Sequence, residues 1–498
     1  MKVNTQTVAP HDGTEVVPHR GLRTGAVGLA GLMAQSLGVT GPEISAVVIA
    51  AVVASKVGGG TPFVYIVTAI GALGLAWVYG RFARYVPNAG GTYAIVRAGL
   101  GRDLGFLAGW TVLAVGVVFV PALLVACGFL MQNFFGLVAP QATFLSSTWI
   151  LWAGIGAILL FGFSYFGVVL SAQALLTLTT IGVGLLSVFA VIVLVKGGAH
   201  GVAWSGFGPS GASFHDIALA VGIAMTGFSG FETAVFLAEE AHTPRRQVPI
   251  AVLGSVTLAG FFFLLVTFSV VTGYGIGSVG IHWPADSGAA VVTISSRYIS
   301  TLFGEVVLLF LAISAFGSAL GTANFTTRVA CSWGHDGYLP RTFGRTHPQY
   351  QSPYVAIIWL AGVVAALFVV GLLWQGAHLA GGLTYFPWLL QAGATGILPV
   401  YVAVAIGGAV HSRRYGGSVL LDTILAPLVA ALVAGLAEWS EFVGQSAPIK
   451  YAPWFMVGVV LVGVVARIAT RSRASVRAAE TASELVLVRA SESAAPAA

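Results

Sequence analysis

A short motif that combines two glycines, a hydroxyl and a carboxylate occurs twice in this chain. Its pattern is G-x-[ST]-G-x-E, at residues 38–43 in the first long apolar segment and at residues 227–232 in the sixth. Gly tolerates backbone conformations that interrupt a helix, and a carboxylate in the hydrocarbon region is costly unless it is paired, hydrated or protonated. Paired interruptions at corresponding places in two halves of a membrane protein are typical of a secondary transporter's binding site.

The alternative explanation of the motif is close helix packing through small residues. Gly accounts for 65 of 498 residues, so two glycines three positions apart recur by chance. The carboxylate is the rarer element, because the whole chain has only 17 Asp and Glu residues. Matching glutamates after matching glycine pairs therefore favour a binding site over packing alone.

Each interruption exposes backbone groups of opposite character. The first half-helix is predicted to stop near Gly38 and the next to start at Pro42, because Pro is favoured at the first helical position. Free N–H groups at the start of one half-helix attract a carboxylate, and free C=O groups at the end of the other attract an ammonium or a cation. A second break around Gly227 and Gly230, facing the first, would complete a pocket for a zwitterion such as an α-amino acid.

The elements that carry these motifs are predicted membrane spans. Hydrophobic residues make up 57% of the chain and charged residues 8%, and the mean hydropathy is +0.91, values that exclude a soluble globular domain. Continuous apolar runs of about 20 residues match a bilayer core of roughly 30 Å and exclude a β-barrel, which needs alternation. The sequence predicts an all-α polytopic membrane protein with twelve spans at 28–54, 62–86, 104–131, 149–165, 170–195, 217–238, 249–271, 302–330, 356–373, 384–406, 419–436 and 454–466.

The charge distribution predicts the orientation of these spans. With a cytoplasmic N-terminus, 19 of the 23 Lys and Arg residues fall on the inner side, as the positive-inside rule requires. Both termini are then cytoplasmic, in the plasma membrane (the inner membrane of a bacterium), and the net charge of +6 reflects contact with anionic lipid and not with nucleic acid. Residues 1–24 form a cytoplasmic tail, and 471–498 are expected to be a disordered one. Trp283, Tyr274 and Trp454 are expected to be interfacial anchors.

Further motifs resemble the amino acid–polyamine–organocation (APC) superfamily. The resemblance covers about residues 25–410 and rests on three motifs. The first, in helix 6 and the loop after it, is Phe228-Ser229-Gly230-Phe231-Glu232 with Ala238-Glu239-Glu240, Pro244-Arg245-Arg246 and Pro249. The second is Arg328 with Gly334-His335-Asp336-Gly337-Tyr338-Leu339-Pro340, after helix 8, and the third is Pro87-Asn88-Ala89-Gly90-Gly91-Thr92-Tyr93, after helix 2. It implies a five-plus-five inverted repeat (LeuT-like) with helices 1 and 6 broken, helices 1–5 in 25–200, helices 6–10 in 201–410 and helices 11–12 in 411–470. It also implies transport of amino acids or related amines, coupled to protons or by exchange.

The sequence departs from that superfamily at two places. Thr226 occupies the position where many members carry an aromatic gate, so gating is expected to pass to Phe228 or Phe231. The helix 5 region Thr179-Thr180-Ile181-Gly182 has no lysine, which several proton-coupled members carry there. The expected substrate-binding residues are Gly38, Val39, Thr40, Gly41, Glu43, Thr226, Gly227, Phe228, Ser229, Gly230 and Phe231.

Four residues are candidates for coupling or structural roles. Glu43 is expected to face the cavity, either as the counter-ion of a substrate amine or as a proton carrier, and its alternative is a helix cap. Glu232 either takes part in coupling or bonds the backbone freed by the break. Hydroxyls of Ser318 and Thr322 either complete a sodium site or bond the preceding turn.

The function predicted from the sequence is secondary active transport of an amino acid or related amine by alternating access. Two alternatives remain, a potassium-type cation carrier on the same fold and a membrane solute sensor. No nucleotide-binding motif of the G-x-x-x-x-G-K-[ST] type occurs. We expect no enzymatic chemistry, no cofactor and no resident metal; a coupling proton or sodium ion is possible.

Overall fold

The computed structural model describes residues 25, 27–85, 91–166, 168–415, 418–443 and 446–470. Regular structure in these ranges is helical, with one isolated parallel bridge between Val27 and Ala241. The predicted tails at 1–24 and 471–498, and part of the 87–93 motif, lie outside the described residues. The all-α class predicted from continuous apolar runs is confirmed.

Eighteen α-helices are present in the described ranges. They are α1 (Leu29–Thr40), α2 (Pro42–Ile44), α3 (Ala50–Val57), α4 (Thr61–Tyr85), α5 (Gly91–Leu100), α6 (Arg102–Val138), α7 (Thr143–Ser146), α8 (Trp149–Tyr165), α9 (Val168–Val195), α10 (Phe214–Phe228), α11 (Pro244–Tyr274), α12 (Val279–Asp286), α13 (Ala290–Tyr298), α14 (Thr301–Asp336), α15 (Tyr354–Gln375), α16 (Leu379–Tyr415), α17 (Ala426–Phe442) and α18 (Ala452–Thr470).

Ten helical runs in the described chain are long and apolar enough to cross a membrane. One of them, Leu29–Arg84, has 56 residues and would measure roughly 84 Å if it were straight, more than twice a bilayer core. It is interrupted at Gly41 and again by the 3₁₀ turn Gly58–Gly60. Trp149–Tyr165 is a shorter apolar helix. The protein is a multi-pass membrane protein, and the count of twelve crossings stays a prediction.

Several helices extend beyond the predicted apolar runs. α6, α14 and α16 have 37, 36 and 37 residues, because hydropathy marks only the part of a helix that lies in hydrocarbon. The predicted loop at 272–301 contains α12 and α13. The interfacial assignment of Trp283 is therefore wrong. Its side chain is fully buried, and its indole N–H donates to the Val47 carbonyl at 3.0 Å.

Tyr274 is also misassigned as an interfacial anchor. Its ring is buried, and its hydroxyl donates to Asp286 Oδ2 at 2.5 Å, so it fastens the end of α11 to α12. Trp454 is exposed, as an interfacial residue is expected to be.

The interrupted helices lie at the centre of the bundle. α1 packs against α9, α11 and α14, and α10 packs against α3, α4 and α17. α6 packs against both α14 and α16 and so joins these two long helices. Large apolar side chains on α9, α15 and α18 are exposed, as expected of surfaces that face lipid. This arrangement keeps the breaks away from lipid.

Candidate functional site

The first break is a single residue. α1 continues through Gly38 to Thr40, Gly41 has left-handed backbone angles (φ 55°, ψ 63°), and Pro42 starts α2. The predicted restart at Pro42 is confirmed, and the predicted stop near Gly38 is wrong. A positive φ is what ends α1, and only Gly41 adopts one here. The Gly41 N–H donates to the Leu37 carbonyl at 2.9 Å, which is the capping bond expected at such an end.

The second break is longer and of a different kind. α10 includes Gly227 and ends at Phe228, Ser229 is extended (ψ 140°), and Gly230 has φ 104°. The chain resumes as a 3₁₀ helix, Phe231–Glu240, and not as an α-helix. The two copies of one motif therefore interrupt their helices with different geometry.

The two breaks are packed directly on each other. A Cβ atom on Gly230 would lie 3.0 Å from both the Thr40 nitrogen and Val39 Cβ, so no side chain fits there. Ser36 Oγ donates to the Phe231 carbonyl at 2.6 Å and accepts from the Ala234 N–H at 3.2 Å. A side chain of α1 thus bonds backbone groups that the second break frees, and these bonds hold the two interruptions next to each other.

Both breaks line one buried cavity of about 50 Å³, the central cavity. Its lining is mostly aliphatic and aromatic, with a few hydroxyls and one carboxylate. The lining residues are Val39, Thr40, Ile44, Ser45, Ile49, Val112, Val115, Phe119, Leu123, Thr226, Ser229, Gly230, Glu232, Thr233, Phe325, Phe386, Leu390 and Ile397. A space of this size holds a few waters, so an amino acid fits only after lining side chains move.

The structure brings some of the predicted site residues together and separates others. Of the predicted set, the central cavity is lined by Val39, Thr40, Thr226, Ser229, Gly230 and Glu232. Those outside its lining are Gly38, Gly41, Glu43, Gly227, Phe228, Phe231, Ser318 and Thr322. The aromatic side chains that do line it are Phe119, Phe325 and Phe386, which the sequence motifs did not indicate because they lie on helices without a break.

Phe228 and Phe231 are fully buried behind the break. Phe228 packs on Phe263 with ring centroids 4.8 Å apart, and Phe231 packs edge-on against Tyr79 at 5.7 Å. Neither ring lines the central cavity in this conformation, and a gating role for either stays a prediction.

Glu43 points away from the central cavity, contrary to the expectation from its place after Pro42. Its carboxylate lies between α9 and α14 and is 1% exposed. Oε2 accepts a hydrogen bond from Ser314 Oγ at 2.7 Å, and Oε1 has no hydrogen-bond partner in the described chain. A Cβ on Gly182 would lie 3.1 Å from Glu43 Cδ, so the absence of a side chain at Gly182 leaves the room that this carboxylate occupies.

Glu232 lines the central cavity but is already engaged. Its Oε2 accepts the Gly230 N–H at 3.1 Å, and the hydroxyl of Tyr401 donates to both oxygens at 3.0 Å. One of its bonds therefore goes to backbone freed by the break, the structural alternative considered for this residue. Tyr401 lies inside an apolar run of α16, where only its hydroxyl could have marked it as a partner.

The hydroxyls of α14 face the first break. Thr322 Oγ1 donates to the Ser318 carbonyl at 2.7 Å, a bond to the preceding turn. Ser318 Oγ is buried beside Gly41 and has no partner among the residues that the structure covers. The side-chain oxygen Oε1 of Gln35 is also unpartnered there, while its Nε2 donates to the Gly321 carbonyl at 2.9 Å. In the described part of the chain no three His, Cys, Asp or Glu residues are grouped as metal ligands.

A buried ion pair joins two of the sequence motifs. Arg328 Nε lies 2.6 Å from Glu240 Oε1, and its Nη1 donates to the Asn324 carbonyl at 2.9 Å. Glu240 ends the 3₁₀ helix that follows the second break, and its carbonyl accepts the Val27 N–H at 2.9 Å. These contacts therefore join the residues just before α1, the end of the 3₁₀ helix after the second break, and α14.

Comparison with known proteins gives a consistent result over nearly the whole chain. A profile of the family described as amino acid permease matches residues 27–468. The chain is 25% identical over 441 residues to the branched-chain amino acid permease BcaP of Lactococcus lactis subsp. cremoris, covering 82% of this chain and 88% of that protein. It is 26% identical over 345 residues to the branched-chain amino acid permease BcaP of Bacillus subtilis, covering 62% and 67%.

Proposed function

We propose that this chain, which belongs to the amino acid permease family, carries an aliphatic amino acid across the plasma membrane by alternating access. The family is one of amino acid transporters, and its match across residues 27–468 confirms the superfamily resemblance of the sequence motifs. A small-molecule substrate follows from that membership.

The observation that carries the proposal is that both helix breaks line the same cavity. Backbone at Thr40 and at Gly230 borders this space, and Ser229 Oγ there has no partner in the described chain. Interrupted helices supply backbone N–H and C=O groups that can bond a substrate's carboxylate and ammonium, so that no charged side chain has to be buried for this purpose. The remaining lining is apolar, which suits an aliphatic side chain, and the relatives named above are called branched-chain amino acid permeases.

Alternating access is supported by the way the cavity is closed. On one side, one helical turn beyond Phe325 of the lining, the ion pair of Arg328 and Glu240 joins α14 to the end of the second broken helix. Toward the other end, Ile49, Thr226, Phe386 and Leu390 separate the central cavity from a larger one that they also line. Rocking of α1–α3 and α10 against the surrounding helices would open one barrier at a time, as expected for a five-plus-five inverted repeat with twelve crossings.

Glu43 is proposed as the proton carrier. Its side chain is not part of the central cavity lining, which argues against the role of amine counter-ion, and its Oε1, which has no partner in the described chain, offers a place for a proton. It contacts α14 and lies beside α9, so its protonation would alter how the first broken helix packs on both. Sodium coupling is less well supported, because Thr322 bonds its own helix and Ser314 is committed to Glu43.

The proposed orientation places both termini in the cytoplasm of a bacterial cell. Ser210 and Gln349 are exposed in loops that the orientation assigns to opposite sides, and both native cysteines are buried. A membrane-impermeant thiol reagent added to intact cells should label Ser210→Cys and should leave Gln349→Cys unlabelled until the cells are opened. The reverse pattern would overturn the orientation.

The proposed function is tested by uptake into liposomes that contain the purified full-length chain. Radiolabelled leucine, isoleucine and valine should accumulate when the lumen is made alkaline, and unlabelled leucine inside should drive exchange. Accumulation of K⁺ without amino acid transport would favour a cation carrier on the same fold. Saturable leucine binding with neither uptake nor exchange would favour a solute sensor.

A further inference from the structure

A second cavity, the Glu441 cavity, lies beside the central one and has about five times its volume, about 260 Å³. It is formed by the π-helix Ser45–Ile49, by α3, α6, α10, α12, α16 and α17, and by the helical turn Ile449–Tyr451. Its lining residues are Val48, Ile49, Ala51, Val52, Phe129, Ile223, Thr226, Pro284, Leu383, Phe386, Pro387, Leu390, Gln391, Ala394, Glu441 and Ile449. All but three of these side chains are apolar, and only Glu441 is ionisable.

Glu441 is buried there without compensation. Its side chain is 3% exposed, and its Oε2 has no hydrogen-bond partner in the described chain. Its backbone carbonyl, by contrast, accepts a bond from Gln391 Nε2 at 2.7 Å. The turn that carries Glu441 is thus held firmly in place, while the carboxylate itself is left unneutralised. An ionised carboxylate in this situation is unfavourable unless a cation pairs with it, and in the absence of a cation it is relieved only by taking up a proton.

The helix that carries Glu441 adds to the negative potential. α17 ends at Phe442, so Glu441 lies in the last turn, where the carbonyl end of the helix dipole is negative. That turn contains no basic residue that could offset the charge. The nearby Lys450 places its ammonium 5.1 Å from the centre of the Tyr451 ring. Carboxylate and helix end therefore attract a positive charge into the same place.

The remaining lining decides what kind of cation fits. The only lining side chains with N–H or O–H groups are Thr226 and Gln391, and both already donate, to the Ile223 carbonyl and the Glu441 carbonyl respectively. A ligand that carries its own carboxylate would find no cationic partner here. A ligand with one ammonium and an apolar body would pair with Glu441 and pack against Phe129, Leu383 and Phe386.

We propose that the Glu441 cavity is a binding site for a primary alkyl- or arylalkylammonium ion without a carboxylate. It is distinct from the central cavity, although Ile49, Thr226, Phe386 and Leu390 form the wall between the two. An amine held there would block movement of that wall. The site would therefore make the transporter sensitive to amines that it does not carry, and this inference stands whether or not leucine is the substrate.

The test is calorimetric titration of the full-length chain in lipid nanodiscs with 3-methylbutylamine. Wild type should bind the amine saturably and should not bind 3-methylbutan-1-ol, which has the same carbon skeleton and no charge. Glu441→Gln should weaken amine binding by about tenfold or more, because a charge-assisted bond is lost. Leucine binding, measured in the same preparation, should change little.

Glu438→Gln is the matched control, since Glu438 lies one turn earlier on α17, also has a buried Oε2 without a partner in the described chain, and does not line the cavity. It removes the same charge and should weaken amine binding less than about threefold. Ala394→Leu, which fills the cavity and keeps the carboxylate, should also weaken amine binding and covers the case in which Glu441→Gln fails to fold. Amine binding unchanged in both Glu441→Gln and Ala394→Leu, or absent from wild type, would overturn the proposal.

Discussion

Glu43 and Glu232 occupy the same place in two copies of one motif, yet their surroundings are opposite. Glu232 lines the central cavity and is bonded by the Gly230 N–H and by Tyr401. Glu43 lies outside the lining and receives one bond, from Ser314, while its second oxygen is unpartnered in the described chain. One carboxylate therefore bonds the backbone of its own break, and the other is the one that we propose as the proton carrier.

The difference arises from the way each helix resumes. After Gly41 (φ 55°) the chain continues as the α-helical turn Pro42–Ile44, in which Glu43 lies against Ser314 of α14 and Gly182 of α9. After Gly230 it continues as a 3₁₀ helix, which turns Glu232 back to its own break. Identical spacing in sequence thus leads to different directions in space, since the two break glycines have different backbone angles (φ 55°, ψ 63° at Gly41 and φ 104°, ψ −13° at Gly230).

The largest effect is expected from Gly230→Ala. Its added methyl would meet Val39 and the Thr40 nitrogen, and φ 104° is unfavourable for any L-residue. We expect leucine exchange to fall to less than about a tenth of wild type, since the packing costs a few kcal/mol.

Gly227→Ala is the matched control for that substitution. It has helical angles, and its methyl would lie 3.4 Å from Ser45 Cβ, an ordinary contact. Exchange should stay within about twofold of wild type, because the buried methyl meets no close contact and needs no strained backbone. Equal activity of the two variants would show that the contact between the breaks is not needed.

A smaller and more selective effect is expected from Gly182→Ala, which probes the free side of Glu43. The methyl would meet Glu43 Oε1 and Cδ and take the space of the unpartnered oxygen. Accumulation driven by a pH gradient should fall about tenfold, while exchange falls much less. The added methyl destabilises the packing around the Glu43 carboxylate by on the order of 1–3 kcal/mol and leaves the central cavity unchanged.

Gly184→Ala controls for the change in helix propensity, since nothing lies within 4 Å of a Cβ at that position on α9. It should leave both activities near wild type. Parallel loss of exchange and accumulation in Gly182→Ala would indicate a general packing defect and would remove the support for Glu43 as a proton carrier.

The smallest effect is expected from Tyr401→Phe, which probes the bonded side of Glu232. The substitution keeps the ring beside Phe231, at a centroid distance of 5.9 Å, and removes the donor to the carboxylate. The midpoint of thermal unfolding should drop by a few degrees, consistent with about 1–3 kcal/mol for an unsatisfied buried acceptor.

Coupling should survive in Tyr401→Phe. The ratio of gradient-driven accumulation to exchange should match wild type, because Glu232 is assigned a structural role. A variant that folds normally and exchanges leucine but no longer accumulates it would reverse the roles assigned to the two carboxylates.

The sequence allowed the positions of the breaks to be predicted to within two or three residues. Gly pairs and Pro42 carry that information locally, since backbone angles with positive φ need Gly and a helix start favours Pro. Apolar runs likewise predicted the membrane class. The direction of Glu43 could not be predicted, because it depends on the backbone angles of Gly41 and on the packing of α9 and α14 beside it.

Hydrogen-bond partners that are distant in sequence could not be predicted either. Tyr401 and Glu232 are 169 residues apart, and Ser314 and Glu43 are 271 residues apart. Trp283 was assigned to the membrane interface because tryptophan is common there, but tertiary folding of α12 over α3 buried it. In each case the missing information was which helices pack together.

The most direct test compares Glu43→Gln and Glu232→Gln, both reconstituted in liposomes, by measuring leucine exchange and leucine accumulation driven by an alkaline lumen. Glu43→Gln should keep exchange near wild type and lose accumulation, because the amide keeps the contact to Ser314 and cannot carry a proton. Glu232→Gln should lower both activities in proportion. Normal gradient-driven accumulation by Glu43→Gln, with exchange intact, would contradict the assignment of Glu43 as the proton carrier.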